Sequence, residues 1–175
     1  MNREDHILLH SKLCIAKAVS IEYCLIKKSE WKREGLIIGF TNGCFDLLHP
    51  GHIWFLEQCK QKCDKLIIAI NSDSSITKLK GRNRPILNQR ERTILIAALA
   101  STDLVITFEE TTPLSLIERL QPDCLFKGSD YSVESIVGYD EVTSSSGRVL
   151  LADNVGFSTT EIIDRIASKY GKTSK

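Results

Sequence analysis

The sequence predicts an α/β protein: a doubly wound sheet of five parallel strands, with helices on both faces and a helical extension at the N-terminus. Apolar runs of strand length alternate with amphipathic stretches of helix length along the chain, as expected for βαβ units. The run at residues 65–70 is continuously apolar after its first residue, which is typical of a central parallel strand. Polar motifs follow several of these runs, where such folds bind ligands.

The composition is that of one globular domain. The 175 residues suffice for a single domain with its own core. The net charge is +1 and no block of five like charges occurs, so we expect no nucleic-acid partner. No apolar run approaches the length of a membrane span, and residues 1–6 lack the layout of a signal peptide. We therefore expect no membrane association, a cytoplasmic location and free thiols.

Two pairs of residues have the spacing of zinc ligands. Cys59 and Cys63 are four apart on a predicted helix, and His6 and His10 are four apart near the N-terminus. Together they would supply a Cys2His2 set, but nothing in the sequence brings the pairs together, so we predict no zinc site. We interpret Cys14, Cys24 and Cys124 as small core residues.

The N-terminal extension is predicted to span residues 1–34, and the main domain residues 35–175. Apolar residues recur at helical spacing between residues 6 and 29, which predicts one helix or two. A free helix would not expose so many apolar positions. The segment therefore packs either on its own chain or across the two-fold axis of a dimer, and we expect the dimer.

The other elements follow from hydrophobic periodicity and turn residues. Strands are predicted at residues 36–41, 65–70, 104–108, 123–126 and 148–151. Helices are predicted at residues 50–64, 88–100, 113–120 and 137–145, with a short one that carries Ile76 and Leu79 inward. The last helix begins at Ser158, which forms a capping box with Glu161. Its predicted core residues are Ile162, Ile163 and Ile166.

The turn between the first strand and the next helix carries the strongest functional signal. Residues 40–52 read FTNGCFDLLHPGH, and His49 and His52 bracket Gly51 at the start of the helix. Gly51 lets the backbone approach a ligand closely. A helix start favours phosphate through its unpaired N–H groups and partial positive charge. The combination predicts a polyphosphate site; the alternative is a capped helix with two surface histidines.

Three further polar motifs lie at predicted strand ends or helix starts: NSD at 71–73, KG at 127–128 and STT at 158–160. Each has a simpler interpretation when taken alone, because Asp73 and Ser158 are good helix caps and a lone lysine is usually a solvated charge. Their convergence on one edge of the predicted sheet favours a shared ligand site instead.

A succession of motifs along the chain is similar to one known family. In order come FTNGCFDLLHPGH (40–52), NSD (71–73), LKGRNRPI (79–86), TPLSLI (112–117), PDCLFKGSDY (122–131) and STTEII (158–163). This succession resembles the cytidylyltransferase-like nucleotidyltransferase superfamily with its HxGH signature. Within it, the chain most resembles the adenylyltransferases that make ADP-heptose from heptose 1-phosphate and ATP. The resemblance covers about residues 30–170 and implies a Rossmann-like nucleotidyltransferase fold.

Nucleotidyl transfer requires positive charge and hydrogen-bond donors around two anionic reactants. His49 and His52 are predicted to donate to the α-phosphate oxygens as charge builds. Lys80 is predicted to place a point charge on a phosphate, and Arg92 to hold the leaving pyrophosphate. Only the resemblance selects Lys80 over its nearby competitors Lys78, Arg82 and Arg84.

The resemblance implies two groups of binding residues. The nucleotide is expected to contact Phe40, Thr41, Gly43, Cys44, Phe45, Gly51, Arg92, Lys127, Gly128, Ser158, Thr159 and Thr160. The acceptor substrate is expected to contact Asn42, Asp46, Asn71, Asp73 and Asp130. Mg²⁺ is expected on the triphosphate, held directly or through water by Asp46 or Asp130.

These residues and the resemblance predict adenylyl transfer from ATP to a heptose 1-phosphate. The products are ADP-heptose, for lipopolysaccharide core or a related glycan, and pyrophosphate. In many bacteria such a transferase is half of a bifunctional protein with a sugar kinase; no kinase half is seen here, so we expect a stand-alone enzyme. Related transferases are often dimers. The family motif usually has glycine at the position of Ser129, where a side chain would narrow the nucleotide pocket.

Two alternatives remain open at this point. One is a cytidylyltransferase for a small alcohol phosphate such as glycerol 3-phosphate. The other is a nucleotide-binding sensor without catalytic activity. The presence of both His49 and His52 argues against the sensor, because a sensor needs no donors for a transition state.

Overall fold

The computed structural model describes residues 16–130, 132–153 and 155–171 of the chain. Its helices are α1 (Ile21–Arg33), α2 (Pro50–Lys60), α3 (Asp73–Lys80), α4 (Gln89–Ala97), α5 (Leu114–Leu120), α6 (Tyr139–Ser144) and α7 (Thr159–Tyr170). Its strands are β1 (Ile38–Gly43), β2 (Lys65–Asn71), β3 (Leu104–Phe108), β4 (Cys124–Gly128) and β5 (Arg148–Ala152). A 3₁₀ turn at Val133–Ser135 follows β4.

The strands form one parallel sheet in the order β3-β2-β1-β4-β5. From β1 the chain first builds outward through β2 and β3, and then returns to the other side of β1 to add β4 and β5. The strand order therefore reverses between β1 and β4. This confirms the predicted doubly wound, five-stranded fold, and it marks the carboxyl ends of β1 and β4 as the expected place for a ligand.

The sheet separates two apolar cores. One lies beneath α1, α5 and α6 and includes Phe40 and Ile117. The other lies beneath α2 and α4 and includes Ile96. Neighbours on β2 enter opposite cores, Ile67 the first and Ile68 the second, because side chains alternate along a strand. Each such buried side chain contributes about 1.5–3 kcal/mol, so both helical layers hold the sheet in place.

Helix α1 packs on the sheet of its own chain. The Val19 N–H donates to the Val105 carbonyl at 3.0 Å, which extends the sheet beyond β3. Cys24 is fully buried in the first core, and Lys32 Nζ lies 2.5 Å from an Asp123 carboxylate oxygen. The premise that the main domain covers both sheet faces without this segment is therefore wrong. The described part of the extension packs on its own chain, as the alternative predicted.

Strand β1 begins two residues later than predicted, at Ile38 instead of residue 36. The cause is the carboxylates at the start of the sheet. Asp64 accepts the Ile37 N–H and Asp123 accepts the Ile38 N–H, both at 2.8 Å. Strand pairing with β2 then runs on to Gly43, so the last residue of the strand lies at the functional edge.

Two helices bury less than predicted. In α3, Ile76 is fully buried but Leu79 is half exposed. In α7, no residue is fully buried: Ile162 and Ile163 are partly buried, whereas Ile166 is 51% exposed, so the expected core role of Ile166 is wrong. An amphipathic pattern shows that a helix has an apolar face, but it does not show what covers that face.

The remaining expectations concern the thiols, the zinc site and membrane association. The cysteines of the described chain are free thiols, and burial raises the pKa of Cys24 and Cys63 to about 12. Within the described ranges no three potential metal ligands are grouped, and His6 and His10 lie outside those ranges. No described helix has both the length and the apolar character to cross a bilayer.

Candidate active site

A cleft of about 390 Å³ opens at the carboxyl edge of the sheet, where the strand order reverses. Its walls come from the ends of β1, β4 and β5, the turn before α2, the loop after α3 and the start of α7. The predicted site residues that line it are Asn42, Gly43, Cys44, Phe45, His49, Gly51, His52, Lys80, Lys127, Gly128, Asp130, Ser158, Thr159 and Thr160. The fold therefore brings together motifs that are more than 100 positions apart in the sequence.

The turn before α2 fixes the tautomer of His49. His49 is the N-cap of α2, and its Nδ1 accepts the backbone N–H of His52 at 3.3 Å. Pro50 occupies the first helical position, where its missing N–H costs nothing. Because Nδ1 is the acceptor, the proton of the neutral ring is assigned to Nε2. His49 thus keeps a donor for a ligand while it caps the helix.

The two imidazoles stack on each other. Their ring centroids are 3.7 Å apart with an interplanar angle of 17°. A Cβ added at Gly51 would lie 3.1 Å from two atoms of the His49 ring and 3.2 Å from the Cβ of Phe157. Gly51 is therefore required for the close approach of His49 to the helix start, in addition to lining the cleft.

Both histidines are neutral near pH 7. Burial lowers the pKa of His49, against an opposing influence of Glu161. Burial, together with the charges of His49 and Lys80, lowers the pKa of His52 to about 4. Two stacked imidazolium rings would repel each other. The pair is therefore suited to interact with an anion as two neutral N–H donors.

The turn between β1 and α2 is held in an unusual backbone conformation. Phe45 has a φ of 46°, which is rare for a bulky residue, and its side chain is buried in the second core. Its ring lies 5.2 Å from the His52 ring, centroid to centroid. A Cβ at Gly43 would lie 3.0 Å from the Phe45 ring. The burial of Phe45 and the absence of a side chain at Gly43 together hold the histidine turn in place.

A partly buried ammonium group lies at the switch point of the sheet. Lys127 at the end of β4 donates to the Asn42 side-chain oxygen at the end of β1. Burial lowers the pKa of Lys127 to about 8. The acceptor is a neutral amide, so the charge of Lys127 is stabilised only weakly by the protein. An anionic ligand at the cleft would supply the missing countercharge.

The start of α7 offers a second phosphate-binding element. Ser158 Oγ accepts the Glu161 N–H at 3.1 Å, and Glu161 accepts the Ser158 N–H at 3.3 Å. The predicted capping box is therefore confirmed. Thr159 and Thr160 form the first turn of α7 and line the cleft, where their hydroxyls and the helix dipole favour an anion.

Arg92 does not line the cleft, contrary to prediction. Its side chain is completely buried. Nε donates to the Leu87 carbonyl at 3.1 Å, Nη1 to the Cys44 carbonyl at 2.7 Å and Nη2 to an Asp73 carboxylate oxygen at 2.7 Å. Direct contact with pyrophosphate is corrected to a structural role. Arg92 ties α4 and its preceding loop to the histidine turn and to α3.

Five other predicted contact residues have internal partners or core positions instead of a place on the cleft wall. Phe40 is buried in the first core, and the Thr41 hydroxyl donates to the Phe126 carbonyl. Asn71 donates to the Ser75 hydroxyl. Asp73 pairs with Arg92 although its side chain is 44% exposed, and Asp46 is described next. Because Phe40, Thr41, Asn71 and Asp73 are not among the described residues that line the cleft, their contacts with a ligand stay predictions.

Asp46 is fully enclosed by donors from the loop after α3. Its carboxylate accepts the backbone N–H groups of Ile86 and Leu87 at 2.8 and 2.9 Å, and Arg84 Nε at 2.5 Å. Burial raises the pKa of Asp46, but these backbone and side-chain hydrogen bonds outweigh burial, so the pKa lies below its ordinary value. The side chain has no accessible oxygen for a metal ion or a sugar, so both of its predicted ligand roles are corrected.

The cleft also contains residues that were not predicted to bind. They are Phe55, Arg84, Ala152, Asp153 and Phe157. Asp153 directly follows β5, so the rule that ligands lie at the carboxyl ends of strands would have found it. Ser129, by contrast, is exposed and is not among the described residues that line the cleft. It therefore does not narrow the nucleotide pocket.

A doubly wound sheet with paired histidines and phosphate-binding helix starts at its switch point defines a nucleotidyl-handling α/β protein. Comparison with known proteins narrows this class. The model of the Cytidylyltransferase-like family matches residues 40–165, a span that contains every described residue of the cleft wall. The chain belongs to this family and is a nucleotidyltransferase.

Relatives from several bacteria are about half identical to the chain. The bifunctional protein HldE of Nitrobacter hamburgensis is 51% identical over 142 residues, which cover 81% of this chain and 29% of that protein. HldE of Rhodospirillum rubrum is 51% identical over 152 residues, covering 86% of this chain and 31% of that protein. The chain thus spans less than a third of the length of these curated relatives.

Two solved structures share the fold. The lipopolysaccharide core biosynthesis protein of Thermoplasma volcanium has a TM-score of 0.56 at 24% identity, covering 71% of this chain and 100% of that chain. Pantoate-beta-alanine ligase of Francisella tularensis has a TM-score of 0.57 at 17% identity, covering 87% of this chain and 77% of that chain. At this level of identity both structures support the fold alone.

Proposed function

We propose that the chain transfers an adenylyl group from ATP to a heptose 1-phosphate, giving ADP-heptose and pyrophosphate. The observation that carries the proposal is the convergence of His49, His52, Lys80, Lys127 and the start of α7 on one cleft. The half-identical HldE relatives and the succession of sequence motifs favour the heptose. The product would enter the synthesis of lipopolysaccharide core or a related glycan.

The reaction forms one bond and breaks another at the α-phosphorus of ATP. A phosphate oxygen of the acceptor attacks, and the bond between the α-phosphorus and the oxygen leading to the β-phosphorus breaks. No covalent bond to the protein is required, so positioning and electrostatic stabilisation supply the catalysis. His49 Nε2 and the His52 ring donate to the α-phosphate oxygens, where negative charge builds.

The ATP side of the cleft lies toward β4, β5 and α7. The triphosphate is placed at the start of α7, against the hydroxyls of Ser158, Thr159 and Thr160. The nucleoside is placed beside Lys127 and Gly128. A Cβ added at Gly128 would meet a single neighbour, Asp130 at 4.0 Å, in the described part of the chain. The space beside Gly128 is therefore open to a ribose or a base.

Mg²⁺ is assigned to the phosphates of ATP. Of its two predicted carboxylate partners, Asp46 is enclosed by donors, whereas Asp130 lines the cleft. The described residues contain no cluster of three metal-ligating side chains, which fits an ion held mainly by the substrate. Bound Mg²⁺ would neutralise charge on the β- and γ-phosphates, and Asp130 would orient it directly or through water.

Pyrophosphate release tests the proposal against its alternatives. The protein is incubated with ATP or CTP, each paired with heptose 1-phosphate or glycerol 3-phosphate. The proposal expects the highest kcat/KM with ATP and heptose 1-phosphate. Faster turnover of CTP with glycerol 3-phosphate would establish the cytidylyltransferase instead. Tight ATP binding without pyrophosphate from any pair would establish the sensor.

Compartment and assembly belong to the same proposal. We assign the reaction to the cytoplasm and expect a homodimer, with residues 35–175 as the catalytic domain. Since α1 packs on its own sheet, a dimer would use another surface. The exposed residues Ile166 and Tyr170 of α7 supply apolar area for such an interface. Light scattering at working concentration measures the mass.

A further inference from the structure

Arg84 is a buried cation on the cleft wall whose hydrogen bonding is incomplete. It lines the cleft together with Lys80 and His52, and its side chain is 12% exposed. Nε donates to Asp46 at 2.5 Å. Nη2 is buried and has no hydrogen-bond partner within the described part of the chain. A buried charged donor without an acceptor is costly, so this arrangement requires a further partner.

Asp46 holds the guanidinium in one orientation. The carboxylate is completely buried and also accepts the N–H groups of Ile86 and Leu87. These backbone bonds fix the carboxylate, and the carboxylate fixes Nε of Arg84. The arginine fork therefore keeps one orientation, and Nη2 has no protein partner in the described part of the chain. A guanidinium that is oriented before the ligand arrives loses little freedom on binding.

The position of Arg84 in the sheet topology separates it from the ATP side. Arg84 and Lys80 belong to the segment that follows β2, on one side of the histidine pair. Lys127 and Ser158 follow β4 and β5 on the other side. An in-line reaction at the α-phosphorus needs its attacking and leaving groups on opposite sides. The β2 side is thus the side of the acceptor.

We propose that Arg84 binds the phosphate of the acceptor substrate and that Asp46 is its positioning residue. The inference rests on the proposed function. A guanidinium presents two parallel N–H groups to two oxygens of one phosphate, which selects a phosphomonoester by shape as well as charge. Lys80 adds a point charge beside it. The two cations have different roles. Arg84 orients the acceptor phosphate, and Lys80 neutralises part of its negative charge.

Kinetics of Arg84→Gln and Arg84→Lys test the binding role. Loss of a charged hydrogen bond corresponds to about a 10–100-fold effect, so Arg84→Gln should raise the KM for the sugar phosphate by about that factor. The KM for ATP should change less than about threefold. Arg84→Lys keeps the charge but loses the paired N–H geometry. Its KM for the sugar phosphate should lie between those of the wild type and Arg84→Gln. Arg82→Ala is the matched control, because Arg82 is exposed in the same loop.

The positioning role of Asp46 has its own readout. Asp46→Asn should raise the KM for the sugar phosphate in the same direction as Arg84→Gln, and the double variant should be no worse than the poorer single variant. Added guanidinium ion should restore activity to Arg84→Ala and not to Asp46→Asn. Additive losses, or rescue of Asp46→Asn by guanidinium, would overturn the assignment of Asp46.

Two outcomes would overturn the role of Arg84: an unchanged KM for the sugar phosphate in folded Arg84→Gln, or a rise confined to the KM for ATP. A wild-type protein that turns over no substrate pair contradicts the proposed function and not this inference. The inference is then decided by inorganic phosphate, which should raise the melting temperature of the wild type and of Arg82→Ala, but not of Arg84→Gln. Equal shifts in all three would overturn it.

Discussion

At the scale of the residue, the active-site histidines combine two tasks that usually fall to different groups. His49 caps α2 through Nδ1 and lines the cleft, with the proton of its neutral ring assigned to Nε2. His52 has a pKa of about 4, so it is a neutral donor at physiological pH. Neutral donors bind the ground state less tightly than cations would. Their interaction strengthens as charge develops in the transition state, which is the difference that accelerates a reaction.

Replacing either histidine tests this role. His49→Ala and His52→Ala should each lower kcat by about 10²–10³, the scale of losing one transition-state donor. The fold should survive, because Phe45, Gly51 and Pro50 keep the turn. Pyrophosphate release gives the rate, and circular dichroism verifies folding. His49→Asn retains a helix cap, so it separates loss of the cap from loss of the donor. A folded His52→Ala with full turnover would contradict the role.

The pH profile of kcat/KM is predicted by the pKa values of the free protein. Lys127 has a pKa of about 8, so its charge is present below that pH and is lost as the pH rises through it. The rate should therefore fall on the alkaline side. His52, with a pKa of about 4, stays neutral at physiological pH, and burial also lowers the pKa of His49. The acceptor adds an acidic limb of its own, since a phosphomonoester has its second pKa at about 6.

Lys127→Arg checks the assignment of the alkaline limb. Arginine stays protonated throughout this range, so the fall should move to higher pH even if the maximal rate is reduced. Lys78→Arg is the control, because Lys78 is exposed on α3. An alkaline limb that is identical in Lys127→Arg and the wild type would assign the titration to another group.

At the scale of the element, buried polar side chains hold together the segments that form the cleft. Arg92 joins α4 to the histidine turn and to α3, and Asp46 joins the histidine turn to the loop after α3. The same residue types would serve equally well as ligand-binding groups. Sequence shows that a charge lies near a motif, but only the packing shows whether it faces the ligand or the neighbouring backbone.

Features set by local sequence could be predicted, whereas the partners of buried charges could not. The five parallel strands, the doubly wound fold and the capping box of α7 follow from hydrophobic periodicity and local chemistry, whereas the strand order β3-β2-β1-β4-β5 comes from the structure. The histidine turn was recognisable because its residues are contiguous. Arg92 and Asp46 were misassigned because their partners, Cys44 and Leu87, offer backbone atoms that no sequence pattern reveals. Ile166 was placed in the core because periodicity does not identify the covering surface.

Arg92→Met tests the structural assignment. The substitution replaces the apolar stem of the side chain but removes the guanidinium, which leaves the Cys44 and Leu87 carbonyls without a donor. At about 1–3 kcal/mol for an unsatisfied buried group, the free energy of unfolding should fall by about 3 kcal/mol, measured by urea denaturation. Lys78→Met on the exposed face of α3 is the control. A folded, equally stable Arg92→Met with a raised KM for ATP would restore the ligand role.

At the scale of the whole molecule, the N-terminal helix is part of the core. Cys24 of α1 packs with residues of β1, β3 and α5, and the Val19 N–H continues the sheet edge at Val105. A boundary at residue 35 describes where the sequence pattern changes, but the cooperative unit of folding begins earlier. Removing α1 would expose the apolar face of β1 and β3 to water.

Two substitutions on α1 separate this core role from a role in dimerisation. Cys24→Asp places an unpaired charge at a site with no exposure, and should lower the free energy of unfolding by at least about 3 kcal/mol. Ile26 lies on the same helix and is 58% exposed. Ile26→Asp should therefore change the free energy of unfolding by less than about 0.5 kcal/mol. Urea denaturation gives both energies, and light scattering gives the mass of each protein.

If Ile26→Asp halves the mass of a dimeric wild type, the outer face of α1 is the dimer interface, as the sequence suggested. If the mass is unchanged while Cys24→Asp unfolds, α1 serves only its own core, and any dimer must form elsewhere.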